Sequence, residues 1–360
     1  MAVTTISRIQ VRRGIRTDLP TSLAEGEFGW CLDTRELFIG NGMGFGNNTE
    51  ILTQYTNTDS VLMHSYAGAA EMPTGQAKVS LGSKLDETLS VKDFGAMGDG
   101  VTDDTKAINT AISDRFSKKT KSSHQAIYFP AGEYIISSDI LLYPFTKIYG
   151  DGCGRTIIHL IASSKAKSLM RTADNLGNIN YNIGIKQDSQ VPIFISISDM
   201  TLLTETDDIS VIIVERSKNI EFSKIEIKSE KTSNVVGLTI NTLSMDTIPL
   251  PDLSTKVISF SGIISNVEVG ISLNDPIEFV SIHNSYIHNV STAIDIGSRS
   301  GGPIFTKVFN NSFEKVTGCA INLSSGCGNT AITSTNNSYN MSKVSAFNGN
   351  VLSLGDCFSC

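Results

Sequence analysis

Apolar residues in the second half of the chain fall into columns that repeat every 23 to 27 residues. The first column holds Val267, Val290 and Val316, and two further columns keep step with it. These two columns comprise Ile271, Ile294 and Ile321, and Leu273, Ile296 and Leu323. Aligned apolar positions with a period in the twenties predict a solenoid, in which each coil buries its face only against the neighbouring coils.

Polar residues follow a similar period. A triplet of Asn, Ser and an aromatic residue begins at Asn284, Asn311 and Asn337, at spacings of 27 and 26. We expect the three asparagines to stack at one corner of the solenoid, where their amide groups can bond along the stack. Asn is also an ordinary residue of left-handed turns, so a plain turn is compatible with the same pattern.

The stretch from Ser90 to Phe116 predicts a strand, a glycine-rich turn and then a helix over about residues 103–116. A short side-chain oxygen can accept hydrogen bonds from the first turn of a helix, so Thr102, Asp103 and Asp104 are the candidate N-caps. The helix has one apolar stripe. The stripe comprises Ala107, Ile108, Ala111, Ile112 and Phe116. A single stripe predicts that the helix covers another element.

The segments DFGA, GDGVTDDT, YFPAGEY and YGDG follow one another between residues 93 and 152. In this order and spacing they resemble the N-terminal signature of the pectate-lyase-like right-handed parallel β-helix family, in the version carried by bacteriophage tailspikes. The resemblance implies an all-β fold over residues 91–360, with the amphipathic helix covering the open end of the solenoid. Such a cover is physically reasonable, because an open end exposes core side chains and unpaired strand edges.

Residues 1–56 form a separate block with a hairpin pattern, in which Phe28, Trp30 and Leu32 share one face of a strand. The segments RIQVRRG, DLPTSLAEGEFGWCLDT and LFIGNG resemble the short N-terminal modules that attach phage tail fibres and tailspikes to the virion. The resemblance implies a phage baseplate or tail protein as the partner of this block. Four basic side chains here offer contacts to an acidic partner or form a solvated face. They are Arg8, Arg12, Arg13 and Arg16.

Residues 57–90 are rich in Ser, Thr and Gly and predict a neck or linker. Its last part is a candidate for a short amphipathic helix, with Leu81, Leu85 and Leu89 at i, i+4 and i+8. A stripe on so short a segment must pack on the solenoid or on copies of itself. Packing on copies of itself would trimerise the neck, and we expect a homotrimer.

Composition and charge exclude several classes of function. The 360 residues carry a net charge of −7 and no basic stripe, which argues against nucleic acid as a partner. The longest aliphatic run, residues 211–214, is too short for membrane insertion, and the N-terminus has no pattern of a secretory signal. The six cysteines are scattered, so we expect free thiols, no metal site and no cofactor.

Carboxylates are the main candidates for chemistry, because no nucleophile, zinc or phosphate-loop motif is present. Glycoside cleavage needs two carboxyl groups about 5 Å apart for retention or about 6.5–9.5 Å apart for inversion. Stacked coils lie about 4.8 Å apart, so an outer wall can supply either separation. Asp295, for example, is expected to point outward in register with Ser272 and Asn322. The candidate catalytic group is Glu268, Asp275, Glu278 and Asp295.

A lyase would need a Lys, Arg, His or Tyr base beside an acidic sugar, and Lys256, Lys307 and Arg299 are available. The sequence does not rank lyase above hydrolase. His283 and His288 flank one corner and offer a metal pair, although surface histidines are the commoner interpretation.

The resemblance implies a virion protein, made in the host cytoplasm, that binds and degrades a bacterial surface polysaccharide such as capsule or O-antigen. The alternatives are a non-enzymatic adhesin or structural branch of the tail and, more remotely, a bacterial pectinase-like enzyme. Tailspikes of the family usually continue into a trimerising C-terminal domain, whereas this sequence ends in coil-like segments. We therefore expect either a fragment or a distal part that belongs elsewhere.

Overall fold

The computed structural model describes the greater part of the chain. The described residues are 11–42, 48–51, 88–117, 125–162, 166–174, 191–231, 234–241, 255–274, 277–297, 304–323, 330–340, 347–348 and 354–359. The chain divides into two compact units, Met1–Glu87 and Thr88–Cys360. Most of the neck predicted over residues 57–90 lies outside the described residues, so the three-part division stays a prediction.

The described residues of the first unit form a small four-stranded sheet. Its strands are β1 (Val11–Gly14), β2 (Phe28–Cys31), β3 (Leu37–Ile39) and β4 (Thr49–Ile51). β2 and β3 form the predicted antiparallel hairpin, while β1 pairs with β2 in parallel. The core consists of Leu23, Cys31 and Phe38. The face of β2 that carries Trp30 is only half-buried, and Leu32 just after β2 is exposed.

The described residues of the second unit form 21 strands and the helix α1 (Thr105–Phe116). Its strands are β5 (Leu89–Ser90), β6 (Asp99–Asp103), β7 (Ile127–Phe129), β8 (Gly132–Ile136), β9 (Ile140–Leu142), β10 (Lys147–Gly150), β11 (Thr156–Leu160), β12 (Ser168–Thr172), β13 (Ile193–Thr204), β14 (Ser210–Glu215), β15 (Lys218–Ser229), β16 (Val236–Asn241), β17 (Thr255–Ser265), β18 (Val269–Asn274), β19 (Ile277–His283), β20 (Tyr286–Gly297), β21 (Ile304–Phe309), β22 (Ser312–Leu323), β23 (Thr330–Asn340), β24 (Phe347–Asn348) and β25 (Leu354–Ser359).

These strands stack in parallel as three sheets. Sheet 1 contains β5, β7, β10, the first parts of β13, β15 and β17, then β19, β21 and the start of β23. Sheet 2 contains β6, β8, β11, the second parts of β13, β15 and β17, and the first parts of β20 and β22. Sheet 3 contains β9, β12, β14, β16, β18 and the second parts of β20 and β22. The predicted right-handed parallel β-helix is confirmed.

The apolar columns predicted from the sequence lie inside the β-helix. Val267, Val290 and Val316 are buried, and Val290 pairs directly with Val316. The columns that begin at Ile271 and Leu273 also pair strand to strand through β18, β20 and β22. Each coil therefore buries its apolar side chains against the same positions of the coils next to it, which is how a solenoid builds a core.

The apolar stripe of α1 joins this core. Ile108, Ala111 and Ile112 are completely buried, in one cluster with residues of the first coils. Asp104 is the N-cap residue, but its carboxylate accepts from the N–H groups of Met97, at 2.7 Å, and Gly98, at 2.9 Å. The carboxylate therefore ties the glycine-rich turn to the start of the helix, which gives the GDGVTDDT motif a structural purpose.

The predicted asparagine stack is correct for Asn311 and Asn337 and wrong for Asn284. The side-chain oxygen of Asn337 accepts from the N–H of Asn311 at 2.8 Å, and both residues are buried. The next position of this stack is Ser285, whose N–H donates to Asn311 Oδ1 at 2.9 Å. Asn284 lies one position before Ser285, in the exposed column of Asn310. The reason is that Tyr286 pairs with Ser312, so the repeat between these coils is 26 residues.

Candidate functional site

The corner between sheets 1 and 2 is recessed at one coil. In β13 and β15 a left-handed residue turns this corner, Asp199 (φ 58°) in β13 and Lys224 (φ 51°) in β15. β17 has no such corner residue: Ser261 pairs with Ser223, and the next residue, Gly262, already pairs with Ile225. A Cβ on Gly262 would lie 2.2 Å from the carbonyl oxygen of Ile225, so this close approach requires glycine.

The recess is the floor of a polar groove of about 520 Å³ that continues over the next coils. Asn284, Asn310 and Asn336 line it, all exposed and all left-handed, with φ between 50° and 56°. Asn336 Nδ2 donates to Asn310 Oδ1 at 2.6 Å. The lining therefore presents a column of amide groups, which can donate to and accept from hydroxyl or carboxylate groups of a ligand.

Tyr286 joins this groove to a cluster of titratable groups on the outer face of sheet 2. Tyr286 and His288 alternate along β20, and their rings stack with centroids 4.4 Å apart. The Tyr286 hydroxyl donates to Glu314 Oε2 on β22, the strand above. The pKa of Tyr286 is raised, mainly by this hydrogen bond and to a smaller extent by partial desolvation. The phenol is therefore protonated at neutral pH and is a proton donor there.

A second cluster lies on earlier coils of sheet 2. His159 Nδ1 is 2.7 Å from Glu133 Oε1, and His159 Nε2 is 3.2 Å from Glu205 Oε1. The His159 side chain is only 10% exposed. Ile135 and Leu203, both buried, are its strand neighbours on either side. The imidazole thus bridges two carboxylates across three coils and has little access to a ligand, so its evident role is structural.

The structure does not bring the predicted catalytic carboxylates onto one sheet. Glu278 lies on sheet 1 and its Oε2 pairs with Lys256 Nζ at 3.3 Å. Asp295 lies on sheet 3, where it pairs with Ser272 and Asn322 as predicted and accepts from Asn322 Nδ2 at 2.6 Å. Glu268 precedes β18 and its Oε2 accepts from the Asn234 N–H at 2.7 Å. Asp275 lies outside the described residues.

The predicted bases are likewise dispersed. Lys256 is occupied by its ion pair, Lys307 is exposed on sheet 1, and Arg299 lies outside the described residues. His283 and His288 lie on sheets 1 and 2, each stacked on an aromatic ring.

Sequence analysis missed the Tyr286 cluster because of a register error of one residue. Aligning Asn284 with Asn311 places Glu314 opposite Ile287, a core position. The observed pairing of His288 with Glu314 follows a period of 26. The alternation of Tyr286 and His288 on β20, combined with the 26-residue spacing of Val290 and Val316, contained the information needed to find the cluster.

Among the described residues, no group of three His, Cys, Asp or Glu side chains has a metal-binding arrangement. Cys31 and Cys153 are free thiols. The described part of the chain contains no helix with the length and apolar character needed to cross a bilayer.

Three stacked parallel sheets, a capping helix and an outward-facing polar groove define a pectate-lyase-like β-helix protein. Residues 88–322 match the family described as rhamnogalacturonase A/epimerase, pectate lyase-like, and the chain belongs to this family. Residues 9–44 match the N-terminal domain of the major tropism determinant. The two matches in one chain confirm the resemblance to phage tailspikes and tail fibres that contain a β-helix.

Individual relatives match over shorter stretches. A probable glucan endo-1,3-beta-glucosidase of Arthroderma benhamiae is 47% identical over 74 residues, 19% of this chain and 8% of the relative. The mannuronan C5-epimerase AlgE1 of Azotobacter vinelandii is 34% identical over 104 residues, 27% of this chain and 7% of the relative. The chain thus spans less than a tenth of either. Tailspike protein 3 of bacteriophage CBA120 superposes with a TM-score of 0.50 and 12% identity, covering 89% of this chain and 64% of that one, and so shares the fold.

Proposed function

We propose that the protein is a phage tailspike that binds a bacterial surface polysaccharide along the outer wall of sheet 2 and cleaves it there. The observation that carries the proposal is the Tyr286–Glu314 hydrogen bond, stacked on His288, beside the asparagine-lined groove. Membership of a family described by rhamnogalacturonase and epimerase activities supports a carbohydrate ligand. Amide groups repeated along the coils suit a ligand that is itself a repeating chain of hydroxyl groups.

The cluster favours β-elimination on a uronic acid over hydrolysis. Hydrolysis by the usual route needs two carboxyl groups about 5–9.5 Å apart, and this cluster holds one carboxylate, one phenol and one imidazole. Elimination needs a base that removes the proton next to the sugar carboxylate and an acid that protonates the leaving oxygen. His288 supplies the base, and Tyr286 supplies the acid.

The electrons balance without a further reactant. The C–H bond electrons form the new double bond of the sugar ring, the glycosidic C–O bond breaks, and the leaving oxygen takes the Tyr286 proton. Before the reaction Glu314 holds the phenol in place by accepting its hydrogen bond, and the hydroxyl turns from Glu314 to the leaving oxygen to give up its proton. The exposed amides of Asn284 and Asn310 are positioned to hydrogen-bond the sugar carboxylate.

The test is incubation of the full chain with capsule and O-antigen preparations from candidate hosts. Shortened chains together with the ultraviolet absorbance of unsaturated uronic acids are the expected result. Shortened chains with new reducing ends and no such absorbance would instead indicate hydrolysis, and the carboxylates Glu268, Asp275, Glu278 and Asp295 would then be the residues to vary.

A second candidate function is binding without cleavage, as in an adhesin or a structural branch of the tail. The amide column favours it, because Asn side chains form hydrogen bonds but do not transfer protons at neutral pH. This alternative predicts that polysaccharide is retained by the protein with its length unchanged.

We also propose that residues 1–56 attach the protein to a phage baseplate or tail protein, that the chain is a homotrimer and that it resides in the virion. The match of residues 9–44 to a phage N-terminal domain supports this attachment. Arg12 pairs with Glu27, and Arg16 pairs with Glu36 at 2.9 Å, so these two stabilise the module itself. Exposed Arg13 and the exposed apolar side chain of Val11 are the better contacts for a partner.

A further inference from the structure

A second polar groove, of about 450 Å³, lies at the corner between sheets 2 and 3. Its lining comprises Leu203, Lys228, Ser229, Glu230, Asn266 and Asn289. We call it the second groove, and we call the asparagine-lined groove at the corner between sheets 1 and 2 the first groove. The chain passes directly from one to the other, since Asn284, just before β20, lines the first groove and Asn289, within β20, lines the second.

The proposed catalytic pair lies between the two grooves. Tyr286 and His288 follow Asn284 and precede Asn289 along the same stretch of chain. Five residue steps of about 3.3 Å separate Asn284 from Asn289, so the two grooves are about 16 Å apart along the wall. A chain of sugars that crosses sheet 2 at this coil therefore reaches both grooves, with the proposed cleavage point between them.

The two grooves carry the same arrangement of amide groups. In the second groove Asn289 Nδ2 donates to Asn266 Oδ1 at 2.6 Å. In the first groove Asn336 Nδ2 donates to Asn310 Oδ1, also at 2.6 Å. Within the described part of the chain, Asn266 Nδ2 and Asn289 Oδ1 form no further hydrogen bond. The second groove thus offers one amide donor and one amide acceptor to the hydroxyl groups of a sugar.

The polar side chains along the axis of sheet 2 are instead bonded to each other. Tyr286 donates to Glu314 on the next coil, and Thr201 Oγ1 donates to Glu226 Oε2 at 2.6 Å. His159 lies between two carboxylates. The corners therefore hold the amide groups that remain available to a ligand, which favours a ligand that crosses the wall over one that follows the axis.

The second groove carries an excess of negative charge. Lys228 Nζ lies 3.9 Å from Glu226 Oε2, so its positive charge is partly balanced. Glu230 is exposed, and its carboxylate forms no ion pair or hydrogen bond within the described residues. A uronic acid in this groove would bring a second carboxylate towards Glu230, which is unfavourable. A neutral sugar or an amino sugar can instead donate hydrogen bonds to the Glu230 carboxylate.

We propose that the second groove is a subsite for the sugar on the far side of the cleaved bond, and that this sugar is neutral or carries an amino group. The proposal rests on the proposed function and deepens it, because it defines the substrate class. The substrate is a heteropolymer in which a uronic acid, held in the first groove, is linked to an uncharged or cationic sugar held in the second. A polymer of uronic acids alone is expected to be a poor substrate.

The first test uses the full chain and the capsule or O-antigen preparation that the parent chain cleaves. The double variant Asn266→Gly, Asn289→Gly removes both amides and suits the left-handed backbone. Asn219→Gly, at an exposed left-handed position outside both grooves, is the matched control. We expect the double variant to raise KM at least tenfold with a smaller change in kcat, and the control to keep the parent values.

A second test addresses the charge of the groove. Glu230→Gln removes the carboxylate at almost unchanged size, and Glu221→Gln, which removes an exposed carboxylate on sheet 1, is the control for net charge. The probe is polygalacturonate, a polymer of uronic acids, and its retention on immobilised protein at low salt measures binding. We expect Glu230→Gln to retain several-fold more polygalacturonate than the parent chain and than Glu221→Gln.

The outcomes separate the subsite from the proposed function. Parent KM in the folded double variant, or a cleaved polysaccharide composed of uronic acids alone, would overturn the subsite and leave the proposed function standing. Equal retention of polygalacturonate by Glu230→Gln and Glu221→Gln would overturn the preference for an uncharged or cationic sugar. A parent chain that neither binds nor cleaves any preparation would overturn the proposed function and the subsite with it.

Discussion

The side-chain oxygen of Asn337 accepts a hydrogen bond from the backbone N–H of Asn311, 2.8 Å away inside the corner between sheets 1 and 2. Asn337 Nδ2 also donates to the carbonyl oxygen of Val308 at 2.9 Å. One buried amide thus satisfies two backbone groups of the neighbouring coil. Leaving such groups without partners costs about 1–3 kcal/mol each, because they were desolvated on folding.

Asn337→Ala is therefore expected to lower the free energy of unfolding by about 2–4 kcal/mol. Asn310→Gly, at the exposed left-handed position of the same corner, is the control and is expected to change it by less than about 1 kcal/mol. Denaturant or thermal unfolding followed by circular dichroism measures both. Equal stability of the two variants would show that the buried amide is dispensable.

The capping helix gives a second prediction. Ile108 is completely buried in the core cluster, whereas Lys106 on the same helix is exposed. Ile108→Ala is expected to destabilise the β-helix by about 2–5 kcal/mol, through lost burial and a residual cavity. Lys106→Ala is expected to change stability by less than about 0.5 kcal/mol. A small effect of Ile108→Ala would mean that the β-helix end is stable without its cover.

A third prediction concerns the ionisation of Tyr286. Its pKa is raised, first by the hydrogen bond to Glu314 and then by desolvation, so the folded protein holds this proton above pH 10. A raised pKa contributes stability that is complete below the unfolded value of about 10 and is lost as the pH rises through the folded value. Glu314→Gln removes the negative acceptor and is expected to move the tyrosinate transition to lower pH.

Ultraviolet difference titration measures that transition, with Tyr286→Phe subtracted to isolate the residue. An unchanged transition in Glu314→Gln would contradict the inferred contact. Cleavage activity should show no loss from phenol ionisation below pH 10, since Tyr286 is proposed to act while protonated.

Periodic burial was predictable from the sequence, whereas the site was not. The columns of Val267 and Ile271 identified the solenoid, because a core position must be apolar in every coil. Outer positions carry no such constraint. The sequence around Glu278 and Asp295 therefore contains no pattern that indicates that they lie on different sheets. The one-residue slip at Asn284 arose because consecutive asparagines, one exposed and one buried, both suit a corner.

The exposed Phe194 and Phe279 were also beyond prediction. In a sequence, an apolar residue within a β run is assigned to the core, and only the structure reveals that these two residues have left-handed backbones and exposed side chains. The GDGVTDDT and YGDG motifs were easier, since aspartates in both accept hydrogen bonds from backbone N–H groups. Asp104 accepts from Gly98, and Asp151 accepts from Ala131 at 2.8 Å.

The most direct test of the central claim compares Tyr286→Phe with Asp295→Asn on a host polysaccharide that the parent chain cleaves. Both side chains are half-buried on outer faces, but they lie on sheets 2 and 3. Tyr286→Phe is expected to lose about 10²–10⁴-fold in the rate of unsaturated product formation, while Asp295→Asn is expected to keep the parent rate. The opposite result, an active Tyr286→Phe and an inactive Asp295→Asn, would contradict this expectation and move the catalytic site to sheet 3.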